Sequence, residues 1–264
     1  MNLPNMLAVA RLDLMLLWRN RTALFTVVGM PVLFAGMLAL FKGEEAAGMD
    51  MALYTGTGYL AFFLVFAVFM NLVSVFTARR EDLTLKRLRG GMLSDAEVLG
   101  GSVLVAGAFY LVQALVLLVL LGTALGGRFP ANPLLMAAGL AAGTAVFALL
   151  AFALSGLTPN ADMAQLTVVP IMFLSMAGSG VMFPLDGLPE AVQQAAGTLP
   201  LTPVVETIRT GYFGQDFTAA STPADVGFLD SWAACARSFA VFGVWLYLGI
   251  WSARRWFRWE PRHA

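Results

Sequence analysis

The chain has 264 residues, of which 59% are hydrophobic and 12% charged, with sixteen Lys and Arg against sixteen Asp and Glu. A soluble domain carries roughly 25% charged residues, so this chain lacks the charge to coat a water-exposed surface of its size. A soluble enzyme is excluded on those grounds, and a polytopic membrane protein is the expectation. A lone cysteine, Cys235, permits no intrachain disulfide, and a lone histidine, His263, leaves little for a metal site.

The N-terminal stretch 4–21 is too charged to cross a bilayer. On a helical wheel Asn5, Asp13 and Asn20 share one side, and Leu7, Leu14 and Trp18 another. This predicts an amphipathic helix lying in the interface, its arginines reaching to phosphates. Six apolar runs follow, over about 22–41, 53–78, 98–125, 134–156, 165–183 and 238–253. None contains Asp, Glu, Lys or Arg, and each approaches the roughly 20 residues that cross hydrocarbon. Each is expected to be a helix, because lipid offers no partner for open backbone groups. The first run starts too late and is too long for a cleavable signal, so the N-terminus is expected to be retained.

Loop charge sets the orientation. With both termini inside, twelve of the sixteen basic residues face the cytoplasm, in 4–21, in 79–97 and after 253. Lys42, Arg128, Arg209 and Arg237 remain outside. The zero net charge is then a cancellation, with twelve basic and seven acidic residues inside against four and nine outside. Trp232, Tyr212, Trp251, Trp256 and Trp259 fall where aromatic belts form.

Residues 79–97 form the only long inner loop between spans. Asp82 and Lys86 are spaced as an i,i+4 ion pair, Glu81, Leu85 and Leu88 share a stripe, and Gly90–Gly91 is a stop. Ser94 to Glu97 reads as a capping box opening the third span. Charge alone favours a solvated turn, whereas helix, glycine break and second capped helix describe an elbow able to dock on a soluble partner. The outer segment 184–237 has start signals at Pro189 and Thr202–Pro203 and stops at Gly197 and Gly211, which predicts helices dipping back into the membrane. Within it Glu206 and Arg209 lie one turn apart, as a structural pair or as an outer gate.

The missing chemistry narrows function further. Neither lysine, Lys42 or Lys86, follows a glycine-rich loop, so a phosphate-binding loop for ATP is absent. No span carries an ionisable group of the kind ion-coupled carriers use. No triad, thiol site or basic aromatic surface for nucleic acid is present. Asn71, set among Phe62, Phe63, Phe66 and Phe69, is either interhelical glue or part of a cargo path. With Met172 and Met176 it offers a greasy lining, although such residues are also ordinary core. Gly122-xxx-Gly126 and Gly139-xxx-Gly143 predict close helix approach.

This ordered set resembles the permease subunits of type 2 bacterial ABC exporters. It comprises the interfacial helix, six spans, the loop 79–94, and Phe183-Pro184-Leu185-Asp186-Gly187-Leu188-Pro189 followed by Leu199-Pro200-Leu201-Thr202-Pro203. The likeness extends over nearly the whole chain, and fourteen Arg against two Lys is similar to antibiotic and drug efflux permeases of high-GC bacteria. It implies a single transmembrane domain over 1–264: an all-α polytopic protein with six transmembrane helices, an N-terminal interfacial helix and re-entrant outer helices between spans five and six. It also implies a coupling helix in 79–97, carried over to Glu81, Lys86, Arg87, Leu88, Arg89 and Ser94. The family's Thr-Pro-Leu-Ser is Gly91-Met92-Leu93-Ser94 here, so the elbow lacks its proline. The implied partners are a separate ATPase, which would hold ATP and magnesium, a second permease copy (identical or related) and bacterial cell-membrane lipid. A membrane scaffold or an ion-coupled carrier is the rival reading.

Overall fold

The computed structural model describes residues 6, 7, 9–11, 15, 21–46, 49–90, 94–181, 189–218 and 224–260. The expected interfacial helix 4–21 falls mostly outside them. Its described residues are helical, and Val9 packs on Gly101 and Met6 on Gly100.

Apolar runs without breakers become long helices. Helix α1, Arg21–Leu38, extends through a 3-10 turn, Ala39–Phe41, and absorbs Pro31 in its interior. Two-residue strands β1, Glu45–Ala46, and β2, Met49–Asp50, pair antiparallel with Glu45 opposite Asp50. Helix α2, Met51–Glu81, is continuous over 31 residues. Asp50 starts it by accepting from the backbone N–H groups of Ala52 at 2.9 Å and Leu53 at 3.2 Å, which satisfies donors every helix start leaves open. The short helix α3 is Thr84–Arg89. Then follow α4, Asp95–Thr123, α5, Pro133–Leu157, and α6, Ala164–Gly178. On the far side lie α7, Glu190–Ala196, α8, Thr202–Phe213, and α9, Asp230–Ala234; α10, Ala236–Trp256, returns to the elbow end.

Among the described residues three helices, α2, α4 and α5, are long and apolar enough to cross a membrane. The expected fifth span is shorter than predicted: α6 has 15 residues, about 22 Å against roughly 30 Å of hydrocarbon. Residues 182–188, where its end was placed, lie outside the described set. Helix α10 has 21 residues, but Arg237, Arg254, Arg255 and its tryptophans lower its hydropathy.

Helix α2 is central. Phe63, Leu64, Val65, Val68 and Phe69 are fully or almost fully buried, while α4 exposes Leu111, Leu115 and Val119, as a lipid-facing helix does. Helix α8 packs into the groove between α2 and α5, and α10 lies along α5. The two glycine pairs behave differently. A Cβ at Gly139 would sit on Thr207 Oγ1, and one at Gly143 would meet Val204 Cγ2 at 2.7 Å, so this pair seats α8 against α5. Gly122 has nothing within 4 Å and Gly126 is a turn residue with φ 78°, so the first pair brings no helix close. The stop expected at Gly211 is also displaced. Gly211 is packed against Met136 and Asn132, and α8 ends two residues later at Phe213, capped by Gly214, whose φ of 70° is the left-handed conformation of a helix cap. Tyr212, expected in an interfacial belt, is buried in α8 at 6% exposure.

The glycine contrast is directly testable by thermal melting in detergent. Gly139→Ala should destabilise by about 1–3 kcal/mol through overpacking, whereas Gly122→Ala should be neutral or stabilise by up to about 1 kcal/mol through helix propensity.

Candidate coupling elbow and far-side clasp

The sequence between α2 and α4 folds into an elbow, but not as one helix from 81 to 89. Helix α2 ends at Glu81, and Leu83 takes φ 57°, a left-handed conformation costly for a branched side chain. That reversal lets α3 leave at a new angle, with Leu85 fully buried beneath it and Leu88 half-buried against the core. The expected Asp82–Lys86 pair is therefore not a pair along one helix; Lys86 Nζ meets Glu260 Oε1 at 3.0 Å instead. Both partners are more than half exposed, so this pair contributes little by itself. Helix α3 ends at Gly90, whose N–H donates to the Lys86 carbonyl at 2.9 Å, as the glycine signal predicted. The capping box is present: Ser94 N–H donates to Glu97 Oε2 at 2.9 Å and opens α4.

The elbow's base is what sequence reasoning missed. Arg80 is 1% exposed. Its guanidinium donates to the carbonyls of Ser155 and Thr158, each at 2.6 Å, and of Pro159 at 3.3 Å. These are open carbonyls at the C-terminal end of α5, where the helix dipole also favours a cation. Arg79 donates to Ser102 Oγ on α4 at 2.8 Å, and Glu81 Oε2 accepts from the Ala161 N–H in the α5–α6 turn at 2.9 Å. Phe257, just beyond α10, packs against both Phe76 of α2 and Phe152 of α5, with ring centroids at 5.9 and 6.0 Å, and those two rings meet each other at 5.1 Å. In the sequence Arg79 and Arg80 read only as topology-setting charge, because carbonyl acceptors leave no trace in residue identity.

Of the predicted coupling residues, Glu81, Lys86, Leu88 and Ser94 are placed on this one elbow, and Arg87 is exposed on α3. The Arg89 side chain and residues 91–93 lie outside the described set. Among its described residues the elbow holds no acid–base or nucleophilic constellation. Three adjacent side chains, Arg79, Arg80 and Glu81, tie its base to α4, the end of α5 and the α5–α6 turn.

The cargo-path candidates sit higher on the same helix. Residues Val65–Met70 of α2 form a π-helical stretch, a widened turn that often marks function. Phe66 lies inside it, 4.5 Å from the Phe62 ring, and Asn71 directly follows it, both half-buried. Met172 and Met176 are buried on α6, which packs against this part of α2.

On the far side, Glu206 and Arg209 each reach a different element. Arg209, 5% exposed, donates to Tyr54 Oη at 2.9 Å and to the Gly180 carbonyl at 3.0 Å, with its guanidinium carbon 3.7 Å from the Tyr54 ring centre. It clasps α8 to the start of α2 and the end of α6. Glu206 accepts from Ser238 Oγ on α10 at 2.5 Å. Helix α8 has 12 residues, too few to span, and burial there pushes the Glu206 carboxyl from its ordinary 4.5 up to about 7. Ser238 and Arg237 oppose the rise, and Asp216 adds to it. Cys235 beside them is buried, and burial pushes its thiol up to about 11, which makes it unreactive.

Arg80→Met should cost about 2 kcal/mol by leaving carbonyls unmatched, while Leu83→Gly should be neutral or stabilise by about 1 kcal/mol by removing backbone strain; both are read by thermal melting. Because the folded Glu206 value lies above the unfolded one, its contribution to stability is full below about pH 4.5 and is lost as pH rises to about 7. Glu206→Gln should flatten the melting profile over that window and exceed the native stability above about pH 8, by as much as about 3 kcal/mol.

No curated protein matches the chain. The family model described as ABC-2 type transporter matches residues 5–213, from the N-terminal stretch through the elbow to the end of α8. That match takes in well over half of the sequence and all of the elbow, and with these apolar helices it places the protein in a membrane: the chain belongs to the ABC-2 type transporter family, as a permease subunit of an ABC transporter.

Proposed function

We propose that the chain is the permease half of an ATP-driven exporter, powered by a separate ATPase and moving an amphiphilic or hydrophobic cargo such as a drug, antibiotic, lipid or glycolipid. Six crossings with both ends cytoplasmic put the elbow on the cytoplasmic side, where such an ATPase resides. The observation that carries this reading is the elbow itself. An exposed surface with Lys86 and Arg87 is anchored through Arg79, Arg80 and Glu81 to three other parts of the fold.

In this mechanism ATP and magnesium bind the partner pair, which closes, and α3 passes the motion to a pair of permease chains. ATP drives the change only to the extent that it binds one partner conformation better than the other. The widened turn at Val65–Met70, between firmly tied ends of α2, is the place where that helix yields. Phe66, Asn71, Met172 and Met176 line the path opened there, and their apolar character with one amide suits a greasy cargo with a polar group. The Arg209 clasp and Glu206 form the outer gate.

The test is charge reversal on the elbow. Arg87→Glu with Arg89→Glu should lower permease-stimulated ATPase activity about tenfold, a weakening of about 1.4 kcal/mol, with membrane insertion and melting temperature unchanged. The proposal fails if the purified chain alone moves substrate across liposomes without the ATPase or ATP.

A further inference from the structure

A cleft of about 730 Å³ opens between α4, α5 and α10 at the elbow end, bordering the elbow's base through Phe152 and Phe257 and away from the cargo-path residues. Ala145 and Ala148 line it alongside Leu104, Phe152 and Ile250, and Met6 covers Gly100 at one edge. The small side chains leave a trough that the large ones do not fill. Its volume lies in the range of sites that hold small molecules, roughly 300–1,000 Å³. An apolar trough gives water no partners, and an empty one forfeits dispersion contacts along its walls. In a bilayer the filling at hand is hydrocarbon.

Length and charge specify the occupant more closely. On α4 the lining runs from Asp95 to Leu104, ten residues and about 14 Å from first to last. That is close to one leaflet's share of roughly 30 Å of hydrocarbon. The polar residues of the lining gather at the elbow end: Arg254 near the end of α10 and Asp95 at the start of α4. Arg255 and Arg258 are exposed on the same stretch, and Glu260 is engaged by Lys86. Three guanidinium groups against one carboxylate give that end a positive balance at the depth of lipid phosphates, where a basic side chain attracts anionic lipid. Trp259 also lines the cleft there, at the level where tryptophan meets head groups.

We propose that this cleft holds one acyl chain of an anionic membrane phospholipid, with the lipid phosphate against Arg254. The occupant belongs to the leaflet on the elbow side and acts as a structural filler between α4, α5 and α10. This needs only that the chain sits in a membrane, and it is independent of transport, cargo and ATPase.

The experiment uses the full chain in nanodiscs of equal phosphatidylglycerol and phosphatidylcholine, released and weighed by native mass spectrometry, with no ATPase present. The native chain should retain one phosphatidylglycerol in preference to phosphatidylcholine. Arg254→Gln should lower the ratio of the two retained lipids about fivefold, the weight of one basic residue at an anionic surface. Ala148→Phe, which fills the trough, should abolish retention of both. Ala145→Met serves the same purpose more gently should the first variant melt early. Equal retention of both lipids by the native chain, or a ratio that Arg254→Gln leaves unchanged, overturns the charged site. Undiminished retention in both filling variants overturns the cleft as its location. A native chain that carries no lipid, because its own N-terminal residues or a second copy covers the trough, overturns the proposal outright.

Discussion

The interaction on which the rest depends is the seating of Arg80 in the end of α5. A buried guanidinium is expensive unless its donors are matched, and the last carbonyls of a long helix are expensive unless they find donors. Each problem is the other's solution. The carbonyls of Ser155 and Thr158 accept from Arg80 at 2.6 Å, and only one ion is desolvated rather than the two of a buried salt bridge. The same logic governs the opposite side, where buried Arg209 meets the carbonyl of Gly180 and the face and hydroxyl of Tyr54. In a chain so poor in charge, its buried arginines thus serve as staples between helix ends.

Those staples make α2 a beam fixed at both ends. At its start Asp50 caps the backbone and Tyr54 is held by Arg209; at its finish Arg79, Arg80 and Glu81 reach α4, α5 and the α5–α6 turn. Between them the only departure from α-helical pattern is Val65–Met70. A helix bends where its hydrogen-bond ladder is irregular, so α2 bends most readily at this stretch, which contains Phe66 and is followed by Asn71. The elbow's sharp exit depends on Leu83, a residue whose strain is tolerated because Leu85 is buried and Arg87 N–H returns to the Leu83 carbonyl at 3.0 Å.

What the sequence made legible is what lies in residue identity and spacing. Apolar runs located α2, α4 and α5 within a few residues, and the Ser94–Glu97 box marked the start of α4 to the residue. What escaped depends on partners from elsewhere in the chain. Gly122/Gly126 and Gly139/Gly143 share one spacing, yet only the second pair faces another helix. Gly211 and Gly214 are both plausible stops; the close approach of Met136 claims the first for packing and leaves the second to end the helix. Asp82 and Lys86 have the spacing of a pair, but a left-handed Leu83 between them breaks the helix that would align them. Nothing in a leucine announces that conformation.

The partition of charge carries a mechanical consequence. Charges that set topology by number also set rigidity by position. Arg79 and Arg80 serve the count at the elbow side and, at the same time, tie four structural parts together. Lys86 and Arg87 stand exposed a few residues away, free of that buried network. In the proposed function the exposed surface engages the ATPase and the stiff base carries the force, and no single side chain satisfies both. Within eleven residues the chain holds both an exposed α3 and an Arg79–Arg80–Glu81 base tied to its neighbours, with Arg80 buried, and the left-handed Leu83 separates the two.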